Sequence, residues 1–347
     1  MRGHCVPVRR LGKDGPTVPA MGLGLAGMSY GYGTAPSDEE RFEVLDRALE
    51  LGETFWDTSD IYGDNEVLLA KWFRRTGKRD QIFLASKFGI VMGTTGLKGA
   101  GIDSSAEYCK QQCEASLTKL NTDHIDLYYA HRVNRETPIE ETMRALAKLQ
   151  AEGKIRHIGL CEVSSTTLRR ACKIAHVAAV QVQYSAFTRE IEYEAGTDLL
   201  RTCRELGVAV VCFSPLGRGL LTGTFNTKES VTGPGDLRGS YIPWFSEENL
   251  EANAKYVNQF KAFADKKGCT PSQLALAWLL KQGDDIIPIP GTKKMKYLEQ
   301  NWASLNVELT DEEEAGIRKF LESVELQGHR TAAQAKASEF ADTVEET

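Results

Sequence analysis

The chain has 347 residues, of which 41% are apolar and 26% charged, a balance that excludes intrinsic disorder for most of its length. Lys plus Arg number 42 against 48 Asp plus Glu, so the net charge of −6 argues against a sequence-independent nucleic-acid binder, which needs a basic surface. No apolar run approaches the ~20 residues that span a bilayer, and Met1–Gly15 has no apolar stretch of the kind a secretory signal carries. The eight cysteines (Cys5, Cys109, Cys113, Cys161, Cys172, Cys203, Cys212, Cys269) follow no framework spacing and read as reduced thiols in a cytoplasmic protein. Cys109 and Cys113 continue a helical stripe with Leu117 and Leu120, which makes them core thiols rather than metal ligands.

In chain order, Val6–Gly12 and Thr17–Pro19, joined by Lys13-Asp14-Gly15, read as a β-hairpin able to plug the bottom of a barrel. A Gly-rich run, Ala20–Met28, follows. Ser37 with Glu40 forms a capping box that opens a helix, and Gly52 closes it. Then come seven short apolar or β-branched runs: Glu53–Trp56, Ile82–Ala85, Ile125–Tyr129, Ile155–Leu160, Ala179–Val182, Val208–Phe213 and Ile286–Ile289. Amphipathic helical patterns separate them. Thr137-Pro138-Ile139-Glu140 combines an N-cap, a proline at the first helical position and an N3 carboxylate, and Thr270-Pro271-Ser272-Gln273 repeats the device. Thr310 with Glu313 opens an extra helix near the end. The Gly/Pro-rich stretch Gly217–Pro243 is the longest break, and a loop that long inside a compact domain is usually functional. From Ala332 the chain is polar and acidic, a composition expected of a flexible tail.

Eight strand–helix units without a long break predict a single α/β domain over 1–347, with its core at about 6–321: a (β/α)8 TIM barrel with an N-terminal hairpin plug and an additional C-terminal helix. Gly22 to Gly27 matches G-x-G-x-x-G in form, but a dinucleotide fingerprint must open a helix at its last glycine. Here Gly and Tyr residues follow and the helix waits until Ser37, so the better reading is a strand end and first βα loop.

Barrel enzymes place their chemistry at the C-terminal ends of the strands. Asp57, Lys87 and His131 end the second, third and fourth runs, Gln181 lies near the end of the sixth, and Tyr62 sits five residues past Asp57. Singly, each has a bland reading: a buried histidine, a helix-capping aspartate, a snorkelling lysine, a loop tyrosine. Together they place an acid, a base, an imidazole and a phenol at one mouth. Lys87 beside the phenol would stabilise its phenolate, Asp57 would keep Lys87 charged and positioned, and His131 would orient a substrate oxygen. No Ser or Cys nucleophile is paired with a base, and no cluster has zinc spacing. Proton donation to a carbonyl without nucleophile or metal needs an external hydride, which in proteins comes from a nicotinamide.

From about Val6 to Leu321 the chain resembles the aldo-keto reductase superfamily. The resemblance rests on Asp57-x4-Tyr62-Gly63, Ser86-Lys87, Asp126-Leu127-Tyr128-x2-His131, Gly153-Lys154-Ile155-Arg156-x-Ile158-Gly159, Gln181-x2-Tyr184, Ser214-Pro215-Leu216-Gly217-x-Gly219 and Pro290-Gly291-Thr292-Lys293. Cys161-Glu162 and Pro215-Leu216-Gly217-Arg218-Gly219 are local signs of its pyridoxal-reductase-like and auxin-induced-like branch. It implies a Tyr62, Lys87, Asp57 and His131 tetrad and an extended NADPH across the barrel top. Gln181 would bond the carboxamide with help from Cys161 and Glu162, a pair that is often Ser-Asn in the wider family. Phe213 would stack on the nicotinamide, and Ser214, Pro215, Leu216, Arg218 and Gly219 would wrap the pyrophosphate. Gly291, Thr292 and Lys293 would meet the 2′-phosphate, and Gln300 and Asn301 the adenine side. Met28, Tyr30 and Trp244 are candidate substrate contacts. The branch carries Arg in the segment that reads Pro243-Trp244-Phe245 here, so an aromatic favours flat or apolar aldehydes.

The leading expectation is therefore NADPH-dependent reduction of a small aldehyde or ketone, pyridoxal or another aromatic aldehyde among them. The alternative is an NADPH-binding sensor subunit of the kind that the potassium-channel β-subunit branch resembles. A metal-dependent barrel hydrolase fails for lack of ligands at the strand ends. No nucleic-acid or membrane partner is expected, and the oligomeric state is left open.

Overall fold

The computed structural model describes residues 6–93, 96–225 and 227–346. Eight parallel strands run in sequence order around one sheet: β1 Leu23–Gly24, β2 Phe55–Asp57, β3 Phe83–Phe88, β4 Ile125–Ala130, β5 Ile155–Cys161, β6 Ala179–Gln183, β7 Ala209–Phe213 and β8 Ile286–Pro288. Gly22 N donates to Pro288 O at 3.0 Å and Gly24 N to Pro290 O at 3.2 Å, so the first strand closes on the last. A Cβ on Gly24 would stand 2.7 Å from Ile289 O, and one on Gly22 2.7 Å from Phe55 O. The glycines of Gly22–Gly27 thus let β1 fit between its two neighbours. Ala26–Ser29 is only a single helical turn, and the next helix begins at Asp38.

Strand alternation sorts the core into two layers. Trp56, Leu84, Phe88, Tyr128, Val180 and Val182 point outward, where they pack with helix residues such as Leu45, Leu69, Trp72, Leu117 and Leu146. Phe55, Ala85, Leu127, Tyr129, Ala179 and Val211 point into the barrel. The same parity aims Asp57, Lys87 and Gln181 inward, one turn of the pleat higher. The N-terminal hairpin pairs Val8–Arg10 with Thr17–Pro19 and delivers Leu11 and Val18 into the barrel interior, closing its bottom.

The capping boxes at Ser37/Glu40, Thr270/Gln273 and Thr310/Glu313 all form. The one expected at Thr137 does not: the helix is Ile139–Ala151, Pro138 is its cap residue, and no side chain of that turn bonds the cap. Instead Ile139 N donates to Thr343 Oγ1 at 3.2 Å, a hydroxyl from near the C-terminus. A second hairpin, Ile90–Gly93 with Gly96–Ile102, follows β3 and was not apparent from its pattern.

The C-terminal stretch differs from the flexible tail expected. Ala341 forms a parallel bridge with Val163, its N donates to Glu162 O at 2.8 Å and its O accepts from Ser164 N at 3.1 Å. Arg330 is 2% exposed and forms a bidentate pair with Glu162, at 3.0 and 2.8 Å. The segment is polar because backbone pairing and ion pairs, not an apolar face, fasten it to the top of the barrel.

Candidate active site

The C-terminal mouth of the barrel opens into a cavity of about 1050 Å³. That exceeds the volume a drug-sized ligand needs and leaves room for an extended dinucleotide with a small substrate. Asp57, Tyr62, His131 and Gln181 line its floor. Lys87 lies just beneath, fully buried, with its Nζ 2.5 Å from Asp57 Oδ1, 2.7 Å from Thr58 O and 5.1 Å from the centre of the Tyr62 ring. The Tyr62 and His131 rings meet edge to face, 5.9 Å between centres. Gln181 Nε2 donates to the other Asp57 oxygen at 2.7 Å. The expected acid, base, imidazole and phenol are gathered at one place.

Burial acts on every member. It would discharge Lys87, but the Asp57 carboxylate outweighs it and holds the ammonium above its ordinary value. It pushes the Tyr62 phenol up, and the charge of Lys87 only partly offsets this. The expectation that Lys87 would leave Tyr62 more acidic than a free phenol is therefore corrected. Desolvation wins, Tyr62 stays protonated, and the ammonium is a nearby charge ready to stabilise the phenolate. Burial, with Lys87 and Arg132 beside it, holds His131 well below the ordinary histidine value, so its imidazole is neutral.

Residues 20–322 match the model of the aldo/keto reductase family. This chain belongs to that family. It is 45% identical over 330 residues to aldo-keto reductase str7 of Strobilurus tenacellus, covering 94% of this chain and 95% of that protein. It is 45% identical over 343 residues to aldo-keto reductase yakc [NADP(+)] of Schizosaccharomyces pombe, with 97% and 98% covered. Among solved structures, the glycerol dehydrogenase AKR11B4 from Gluconobacter oxydans superposes with a TM-score of 0.77 at 27% identity, over 92% of this chain and 96% of that one.

Along the rest of this aldo/keto reductase's cavity lie Phe213 at the end of β7, Ser214, Pro215, Leu216, Arg218 and Gly219 after it, and Gly291, Thr292, Lys293, Gln300 and Asn301 after β8. Ser214, Gly217, Arg218 and Gly219 all have positive φ (49°, 58°, 56° and 100°), a tight winding of backbone that suits an anion seat. Non-glycine residues hold such angles only at a cost of about 1–3 kcal/mol each. Arg218 Nε is buried without a partner among the described residues, an orphaned donor beside that winding. These features fit a phosphate-bearing cofactor. Lys293 is already engaged: its Nζ donates to Tyr32 O and Thr34 O, each at 2.8 Å, and ties the β8 loop to the β1 loop. Gln300 Nε2 donates to Thr270 Oγ1 at 2.7 Å, so its amide faces a helix cap.

Four expected residues fall elsewhere. Met28 is fully buried in the layer between sheet and helices, beside Leu25 and Trp56. Trp244 is 4% exposed and packs with Leu220, Phe245 and Leu250 inside the long β7 loop. With Trp244 off the cavity wall, it gives no support to a preference for apolar aldehydes. Cys161 lies inside the barrel beneath the cavity, and burial pushes its thiol up to about 12. Glu162 has no free oxygen to offer a carboxamide, since both bond Arg330 and Oε1 also accepts from Gln183 N at 3.0 Å. Tyr30 does line the cavity.

Several cavity residues were not expected from the sequence. Arg238, in the long β7 loop, is clamped by Asp236 at 2.6 Å and stacks 3.9 Å over the Phe225 ring. Thr331, Gln334 and Ser338 come from the C-terminal segment, and Ile90 and Ile102 from the second hairpin. The available signals were the length of the β7 loop and the carboxylate at Glu162, which once buried demands a cation.

Proposed function

We propose that this protein is an NADPH-dependent carbonyl reductase that converts an aldehyde or ketone to an alcohol with Tyr62 as general acid. The observation that carries the reading is the buried Lys87–Asp57 pair set beneath the Tyr62 and His131 rings at the floor of the cavity. Bound NADPH supplies the hydride. The residues that would hold it are Gln181, Phe213, the Ser214–Gly219 winding, Thr292, Lys293 and Asn301. The name of the Schizosaccharomyces pombe relative, aldo-keto reductase yakc [NADP(+)], supports NADP(H), as do the lysine and threonine after β8.

Tyr62 gives its phenolic proton to the carbonyl oxygen as negative charge builds there. Lys87 stabilises the resulting phenolate, and its own charge is kept by Asp57. Neutral His131 donates a hydrogen bond to the same oxygen and fixes which lone pair meets Tyr62. In reverse, the phenolate takes the proton back from an alcohol. Tyr30, Ile61 and Phe213 give the inner cavity flat, apolar walls, which favours aromatic aldehydes, pyridoxal-like ones included.

NADPH oxidation followed by absorbance over a panel including pyridoxal and nitrobenzaldehydes tests this. Tyr62→Phe is expected to lower kcat by about 10²–10⁴ while the Kd for NADPH stays the same. Full turnover by Tyr62→Phe would refute the assignment. Tight NADPH binding with no turnover of any carbonyl by the wild type would return the sensor-subunit reading.

A further inference from the structure

His131 has an unusual partner. Its Nδ1 lies 3.2 Å from the Ser59 hydroxyl, which lies 3.0 Å from Asp60 Oδ1. A backbone carbonyl or a carboxylate on Nδ1 would accept only, and would fix the imidazole tautomer. A hydroxyl can donate or accept, so the tautomer is set by where the Ser59 proton points. That depends on Asp60, the group on the far side of the hydroxyl. Ser59 is 1% exposed, while Asp60 is half-buried and has no ion-pair partner within 4 Å among the described residues.

We propose that Asp60 and Ser59 form a relay that sets which nitrogen of His131 carries the proton, and so decides whether Nε2 can donate to the substrate oxygen. The proposal rests on the reductase reading for the role of His131, though the relay itself is a property of three side chains.

The protons balance as follows. With Asp60 protonated, its carboxyl donates to Ser59 Oγ, Ser59 donates to His131 Nδ1, and the imidazole proton sits on Nε2, ready to donate to a substrate carbonyl. When Asp60 loses its proton to solvent, Ser59 turns to donate to the carboxylate. Its oxygen then accepts from His131 Nδ1–H, and Nε2 is left without a proton to donate to the substrate oxygen. One proton leaves Asp60, the imidazole proton changes nitrogen through solvent, and His131 is neutral throughout.

The surroundings allow this within the working range. Burial pushes the Asp60 carboxyl up to about 7; the Ser59 bond opposes that, Glu66 adds to it, and Lys119 and Lys87 oppose it. Tyr108, from the helix packed alongside, and Tyr128, on β4, also face Asp60. Around His131 the charged neighbours are Lys87 and Arg132, both of which disfavour a charged imidazole. Tyr62 and Cys161 are both pushed upward by burial, so neither titrates in their place. Reduction is thereby supported below the transition and loses the Nε2 donor above it.

The test uses full-length protein with ¹⁵N-labelled histidine, its His131 signals assigned against a His131→Gln spectrum. The expected result is that Nε2 moves from the protonated to the unprotonated nitrogen range across about pH 7, and that Asp60→Asn and Ser59→Ala each abolish the move. In kinetics, reductive kcat/KM of the wild type is expected to fall about tenfold per pH unit above that transition, and to be flat over the same range in Asp60→Asn. A wild-type tautomer that ignores pH, or one that still switches in Asp60→Asn, would overturn the relay. An unmoved resonance in a protein with active Tyr62-dependent turnover removes the relay alone. Full turnover by Tyr62→Phe would remove the reductase reading and leave the resonance shift standing.

Discussion

Replacing Arg330 by leucine tests how the C-terminal segment is held and what it does for the site. Arg330 Nη1 and Nη2 pair with the two oxygens of Glu162, its Nη2 also lies 3.2 Å from Glu339, and its Nε lies 3.9 Å from Glu190. In Arg330→Leu, Glu162 would be left fully buried with only the Gln183 N–H as donor. Breaking a buried pair from one side costs about 3–5 kcal/mol. The unfolding entropy is roughly 2.1 cal/mol/K per residue, so for 347 residues each kcal/mol corresponds to about 1.4 °C and the loss to a fall in Tm of about 4–7 °C. Glu162→Leu is expected to cost less, because Arg330 keeps Glu339 and Glu190. The double substitution Glu162→Leu with Arg330→Leu is expected to recover most of the loss, since a matched apolar pair has no buried charge to compensate. Urea unfolding of the four proteins measures the coupling. Because the segment brings Thr331, Gln334 and Ser338 to the cavity wall, Arg330→Leu should raise KM for the carbonyl more than it lowers kcat. Additive single effects, or an Arg330→Leu loss under about 1 kcal/mol, would refute this account of the clasp.

The clasp also has a pH signature. Burial would raise the Glu162 carboxyl, but Arg330 wins and holds it below the ordinary glutamate value. Its stabilisation is thus complete above the unfolded-state value and lost as pH falls through the lower folded one, so C-terminal proteolysis should accelerate only in acid. Gly24→Ala places a Cβ 2.7 Å from Ile289 O and should cost about 1–3 kcal/mol in urea unfolding by prising β1 from β8. Thr343→Val removes the hydroxyl that caps Ile139 N and should cost about 0.5–2 kcal/mol by the same measurement. Lys87→Met strands Asp57 against Gln181 alone, so it should abolish reduction and lower stability by about 3–5 kcal/mol; an active, stable variant would contradict the buried ion pair.

The features legible in the sequence are those written locally. Strand runs alternating with capped helices were readable because period-two and helical spacing are properties of neighbouring residues. Three of the four capping boxes formed where their Ser or Thr and Glu or Gln stood. The strand-end positions of Asp57, Lys87 and His131 needed only the rule that barrel chemistry lies at one rim, and pleat parity then aimed Lys87 inward.

The tertiary structure decided everything that depends on distant partners. Thr137 makes no cap because the helix starts at Ile139 with Pro138 as its cap residue, and the Ile139 N–H is met instead by Thr343, about two hundred residues away. Glu162 left the cofactor set because a buried carboxylate takes the nearest guanidinium, and Arg330 arrives from 168 residues further along the chain, just before the polar tail. Trp244 and Met28 are aromatic and apolar in any reading, and only packing says which side of a wall such a side chain occupies. Spacing along a chain specifies local geometry; which charges meet in the interior is set by closure of the barrel, since the cost of leaving an ion unpaired there arises only once water has been excluded.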